Sequence, residues 1–196
     1  VYNEMKGALS DPNSVLYDEL QAALFPDTAY RFESGGTPRA IPDLTYEQFL
    51  DEHRRHYRLD NSYLTLYGNV DLDAMLAFLD REYLSPVADE QESARAAAGG
   101  DAFVPHELAL QPPVVQLGRV RNMATAPENA CMGLGYVLGH ARERTRMVAA
   151  DILIDALMGS NEAPLKRALL DADLADDAQA FVADALPQPF TVIQLR

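Results

Sequence analysis

The chain holds a single cysteine, Cys131, so no disulfide can close within its 196 residues. A disulfide-stapled fold is excluded, and a reducing compartment fits. No apolar run approaches the roughly 20 residues that a membrane-spanning helix needs, and no basic-then-apolar signal stands at the start. Positive charge is scarce as well: 16 Lys and Arg face 30 Asp and Glu, for a formal net charge of −14. Such a surface repels nucleic acid and anionic membranes and attracts cationic partners, basic peptides among them. What is present is enough apolar material, 48% of the residues, to build a real core in one large domain or two small ones.

Hydrophobic spacing predicts the elements. Within residues 14–25, Val15, Leu16, Leu20, Ala23 and Leu24 recur at helical intervals, giving an amphipathic helix that ends near Pro26. Residues 30–44 carry Gly35, Gly36, Pro38 and Pro42 and predict a loop. Thr45 then caps a helix reaching about Tyr57, with Glu47 as capping-box partner and Tyr46, Phe49, Leu50 and His53 on one face. Residues 63–68 read as a strand, and Asp71 opens a helix through Leu72, Met75, Leu76, Leu79 and Tyr83. Residues 85–112 are small and charged without apolar periodicity, which predicts a solvated linker.

Beyond the linker, residues 114–120 alternate and are β-branched, and residues 130–139 form an apolar run interleaved with glycine; both predict strands, the second one buried. A helix over residues 142–158 stops at Gly159, and a shorter one starts at Pro164. Residues 178–182 and 190–195 predict two more strands, and the chain reaches Arg196 without a turn. This succession is α+β, with antiparallel strands covered on one face by helices.

Few residue patterns suggest chemistry. Glu52-His53-Arg54-Arg55-His56 places its histidines at i and i+3 with the glutamate outside them, so neither H-E-x-x-H nor H-x-x-E-H is present. His53 is expected to pack inward while Arg54 and Arg55 face solvent, and His106 and His140 read as structural or surface residues. Ser34-Gly35-Gly36 lacks the lysine of a phosphate loop and the strand–nucleophile–helix pattern; its glycines predict a conformational role at positive φ. Met5, Met75, Met132 and Met147 are expected as core fillers.

Asn3-Glu4-Met5-Lys6-Gly7 resembles the distal zinc-ligand segment of the M16 metallopeptidases, in their presequence-protease branch. Ser34-Gly35-Gly36-Thr37-Pro38 is similar to the Ser-Gly-Gly-x-Pro loop of that branch, and Thr45-Tyr46-Glu47-Gln48-Phe49 to the helix start that follows it. Tyr67-Gly68 matches the family's strand end, and the stretch from Leu134-Gly135-Tyr136 to Ala163-Pro164-Leu165 resembles the first half of the second M16 domain. The order of elements agrees over nearly the whole chain, the linker least.

The resemblance implies two-layer M16 domains, with residues 1–84 ending the first, 85–112 joining, and 113–196 beginning the second. It implies that Glu4 is the third protein ligand of one catalytic Zn²⁺. Three protein ligands leave zinc a fourth position for water, and a carboxylate on a separate helix completes what two histidines on another begin. The histidines and the general base would come from an H-x-x-E-H helix ahead of Val1, so the chain reads as a piece cut from within a domain at both ends. No catalytic residue would lie within it, and it would not hold zinc alone. Ser34, Gly35 and Gly36 would shape a substrate chamber. The parent would be a zinc endopeptidase that degrades short unstructured peptides, its partners those peptides and the rest of its own polypeptide, with no nucleic acid and no membrane. A bacterial-type cytoplasm is the expected location, an organelle matrix the other. The alternative is a non-catalytic M16 paralogue that serves as scaffold or peptide-binding half. Without the resemblance, a helical glutamate three residues before a glycine is a solvated side chain.

Overall fold

The computed structural model describes residues 1–97 and 109–196. In chain order the helices are α1 (Tyr2–Ala8), α2 (Pro12–Leu24), α3 (Tyr46–His56), α4 (Leu72–Leu79), α5 (Ser85–Ala97), α6 (Arg144–Met158) and α7 (Pro164–Asp171). The strands are β1 (Met132–Val137), β2 (Ala178–Ala183) and β3 (Phe190–Leu195). Packing separates two units, Val1–Pro42 with Leu108–Arg196, and Asp43–Glu107. This division by packing differs from the expected division by family domain, because the first 42 residues pack with the sheet formed by the last part of the chain.

In the first unit, Asp11 starts α2: its carboxylate accepts from the Ser14 backbone N–H at 3.0 Å and from the Ser14 hydroxyl at 2.9 Å, with Pro12 in the first turn. The sheet runs β1-β3-β2, antiparallel throughout, with β3 in the centre. Alternation along β3 sends Phe190 and Val192 to one face and Ile193 and Leu195 to the other. On the first face lies α2. Its Leu20 and Leu24 come so near the backbone of β1 that a Cβ on Gly133 would stand 2.8 Å from Leu20 Cδ1, and one on Gly135 2.9 Å from Leu24 Cδ1. The glycines interleaved in β1 are there for this approach.

Phe25 and Phe190, both completely buried, meet edge to face at 5.6 Å, and Tyr17 and Tyr30 close the cluster around them. On the opposite face, Met158 of α6 buries against Ala178 and Leu195, joined by Leu165 and Leu169 of α7. The α+β class is as expected, and both sheet faces carry helices. Gln111 fastens the incoming segment by reciprocal amide bonds: it accepts from Asp27 N–H at 2.8 Å and donates to the Asp27 carboxylate at 2.8 Å.

Several expectations need correction here. Residues 114–120 form no strand: Val115, Leu117 and Val120 are exposed, and the segment is tied instead through Arg119 to Glu19 at 2.7 Å. β-Branched alternation favours extended backbone, yet a strand also requires a neighbour to bond, and this segment has none among the described residues. Met5 is buried, but Met132 lies 53% exposed on the edge strand.

In the second unit, α3 begins with a capping box: Thr45 Oγ1 accepts from Gln48 N–H at 3.2 Å, and Gln48 Oε1 from Thr45 N–H at 2.9 Å. The partner is thus Gln48, one residue beyond Glu47, because the third helical position counts from Tyr46. His53 is not packed inward. It is exposed and stacks on the Tyr57 ring at 4.2 Å, since α3 buries none of its residues. Arg55 faces solvent as expected and bridges Asp51 and Glu52, each at 2.7 Å. Residues 63–68 form no strand; Tyr63 and Tyr67 are fully exposed and no described residue pairs with them. α4, capped by Asp71 on Ala74 N–H at 3.0 Å, passes through a π-helical turn at Asp80–Leu84 into α5. Residues 85–97 are therefore helix and not irregular linker, as their alanine, glutamate and glutamine favour. The remainder of that predicted linker up to residue 108, with Gly99, Gly100 and His106, lies outside the described residues.

Candidate functional site

Met5 sets the orientation of α1. It is the buried residue of that helix, and the neighbouring Glu4 is exposed. The Lys6 ammonium stands over the Tyr2 ring, 5.5 Å from its centroid, and so lies along the helix surface. The helix ends as the Ser10 hydroxyl donates to Gly7 C=O at 2.6 Å.

Beneath Met5 runs the predicted chamber loop. A Cβ at Gly35 would collide with the Met5 sulfur and stand 2.7 Å from its methyl carbon, so a larger residue there would make the thioether shift. Of the two glycines expected at positive φ, Gly36 adopts it at +89° and Gly35 does not. Gly35 N–H donates to Glu33 Oε1 at 2.8 Å, and Gln21 of α2 donates to Tyr30 C=O at 2.8 Å, which together hold residues 30–36 in place. The structure thus brings the Glu4 helix and the Gly35-Gly36 loop together, two features far apart in their sequence signals; Ser34 is exposed.

Beside this junction is a cavity of about 400 Å³, lined by Met5, Leu9, Tyr17, Asp18, Glu33 and Phe181 among others. Asp18 is the most strongly perturbed group in it. Burial, then the Glu33 charge and a hydrogen bond with Glu33, push its carboxyl up to about 6. Tyr17 is raised by burial first and by Asp18 second. At the far end, hydrogen bonds from Ser14 hold Asp11 below its ordinary value. Sequence reading did not single out Asp18 or Glu33: fifteen positions apart, on a helix and in a loop, they share no motif.

The histidines are engaged locally. His56 Nε2 lies 3.1 Å from Glu52, and His140 Nδ1 accepts from Arg142 N–H at 3.1 Å. Among the described residues no group of three or more His, Cys, Asp or Glu could hold a metal ion. A catalytic zinc takes three protein donors, so these residues do not make a zinc site by themselves; Glu4 offers one free-standing carboxylate. No helix of the described residues is long and apolar enough to cross a membrane.

Residues 43–195 match the family described as "Peptidase M16 inactive domain". The protein HypA of Clostridium perfringens is 35% identical over 174 residues, covering 89% of this chain and 17% of that one. The mitochondrial presequence protease of Xenopus laevis is 31% identical over 183 residues, 90% of this chain and 17% of its own. That of Schizosaccharomyces pombe is 46% identical over 83 residues, 42% of this chain and 8% of its own. The chain therefore spans about a sixth of the first two relatives, and Glu4 and the Gly35-Gly36 loop precede the matched family segment. An α+β fold whose residues 43–195 carry that match leads to one conclusion: the chain belongs to the peptidase M16 family.

Proposed function

We propose that the chain is part of a zinc-dependent endopeptidase acting on short unstructured peptides, with Glu4 as the third protein ligand of the metal. The observation that supports this is the placement of Glu4, an exposed carboxylate on a helix oriented by Met5 seated over Gly35. Relatives named presequence protease agree with it. Bound zinc would supply a Lewis acid and an acidified water. The chain's own residues would contribute the exposed Glu4 carboxylate, on a helix whose Met5 rests on the Gly35 loop, and the other donors and the base would come from elsewhere in the full-length protein. The net charge of −14 suits attraction of basic peptides. A reducing bacterial cytoplasm or an organelle matrix suits the lone Cys131.

A second reading rests on the family description itself, which calls the matched domain inactive. The full-length protein would then be a non-catalytic M16 member that binds peptides or scaffolds a partner. Zinc content and cleavage of a quenched unstructured peptide, measured on the full-length protein with and without a chelator, separate the two. One zinc per chain and chelator-sensitive cleavage are expected; neither zinc nor cleavage would establish the second reading. The 196-residue chain alone is expected to be inactive in the same assay.

A further inference from the structure

We propose that Asn13 is a positioning residue for Glu4: its side-chain oxygen pins the corner between α1 and α2 to the end of β3, and this pin sets where the Glu4 carboxylate stands. The consequence for a metal rests on the zinc reading of Glu4; the pin itself does not.

Glu4 lies on a helix of 7 residues, too short to be stable alone in water. One support is Met5, seated against Gly35. The other is the corner that follows. Leu9 N–H donates to Met5 C=O at 3.0 Å, Ser10 N–H to Gly7 C=O at 3.0 Å and Asp11 N–H to Ala8 C=O at 3.3 Å, and the Asp11 carboxylate then caps α2 through Ser14. Every residue between the two helices is hydrogen-bonded, so α1 follows the first turn of α2.

That first turn is tied to the sheet. Asn13 Oδ1 accepts from Gln194 Nε2, and from Arg196 Nη2 at 3.1 Å. The Cys131 thiol, next to β1, lies 3.9 Å from Pro12 C=O. Both donors to Asn13 are fixed in their turn: Gln194 is flanked in the sheet by Gly133 and Gln179, and Arg196 N–H donates to Asp177 C=O at 2.9 Å.

The opposite end of α2 carries a second tie. Asp27 and Gln111 exchange two bonds of 2.8 Å, and Gln188, just ahead of β3, holds the Gln111 backbone through bonds of 2.6 and 3.1 Å. α2, with 13 residues at about 1.5 Å each, and β3, with 6 at about 3.3 Å each, are both roughly 20 Å long, so helix and strand can be clasped at both ends at once. The apolar contacts of Leu20 and Leu24 hold α2 against the sheet but are non-directional and do not fix its position along it. The polar clasps do, and the Asn13 clasp is the one at the end that carries α1.

Three variants of the full-length protein test this. Asn13→Ala removes the acceptor, Asn13→Asp keeps it for both donors, and Gln111→Ala breaks the tie at the far end of α2. In metal-free protein, hydrogen–deuterium exchange of the peptide covering Leu9 to Asp11, followed by mass spectrometry, should speed up about tenfold in Asn13→Ala and stay at the unsubstituted level in Asn13→Asp. Zinc affinity, read by competition with a chelator, should fall by about tenfold in Asn13→Ala, the lower end of what supporting partners of a metal ligand contribute, and return in Asn13→Asp. Gln111→Ala unfastens a buried residue and should lower the denaturation midpoint without changing zinc affinity. Unchanged exchange at the corner in Asn13→Ala overturns the pin. Equal zinc loss in Gln111→Ala and Asn13→Ala overturns the positioning role and leaves only general stability, and so does unchanged zinc affinity in Asn13→Ala when Glu4→Gln loses its zinc. A Glu4→Gln protein that keeps its zinc removes the zinc reading instead, and the corner amides, measured without metal, still decide on Asn13.

Discussion

The unit built on the sheet and the unit of residues Asp43–Glu107 obey the same local rules and differ in what those rules achieve. Each has side-chain-capped helices, Asp11 in one and Thr45 and Asp71 in the other. The first buries Phe25, Phe190 and Val192 in one cluster and Met158, Ala178 and Leu195 in another. In the second, α3 and α4 bury no residue, and Tyr46, Phe49, Tyr63 and Tyr67 are exposed. The difference teaches that helices follow from a local pattern, whereas strands and a core require partners distant in sequence.

Core truncation should expose the contrast most strongly. Phe190→Ala empties a fully buried position and should cost about 3–5 kcal/mol, while Phe49→Ala in α3 should stay within about 0.5 kcal/mol. Urea titration of the 196-residue chain reads both; equal losses would erase the distinction between the units. Next in size, Gly133→Val would force Leu16 and Leu20 away from β1 and should cost about 1–3 kcal/mol. Such a loss confirms the close approach of α2, and no loss in the same titration would deny it. Smaller still, Asp71→Ala removes the cap on Ala74 and should cost roughly 1 kcal/mol, seen as reduced helicity by circular dichroism.

The pH response should be the mildest effect, and it runs in opposite senses at two carboxylates of the sheet unit. Asp177 is held low, first by its bond from Lys166 at 2.9 Å, so its contribution is lost as pH falls through the acid range. Asp18 is held high, so its unfavourable contribution grows as pH rises towards about 6. Denaturation midpoints across the acid-to-neutral range should show a maximum between these effects. Asp18→Asn should lift the neutral side, and an unchanged profile would show that Asp18 is not perturbed.

Helix legibility was high because caps and apolar spacing are written locally: α2, α3, α6 and α7 lie where residue spacing puts them. β1, β2 and β3 were legible for a different reason, each being an apolar run whose pairing partners also lie in the chain. Residues 63–68 and 114–120 carry equally good strand composition without a described partner, and composition cannot reveal that. α5 was missed because alanine and charge without periodicity read as linker, though the same residues favour a solvated helix. At the site, Gly36 announced its backbone, but the seat of Gly35 under Met5 did not follow from any spacing. The Asp18–Glu33 pair was invisible, since it arises only when a loop folds back on a helix.

The central claim concerns Glu4, and zinc occupancy of a Glu4→Gln variant of the full-length protein tests it most directly. The change keeps size and hydrogen bonding and removes the anionic donor. The exposed Glu128, outside the site, serves as the control. Metal content by elemental analysis should fall in Glu4→Gln and peptide turnover with it, by at least roughly 10–100-fold, the loss typical of weaker outer-shell changes. Glu128→Gln should leave both near the unsubstituted level. Full zinc loading with normal turnover in the Glu4 variant would contradict the assignment.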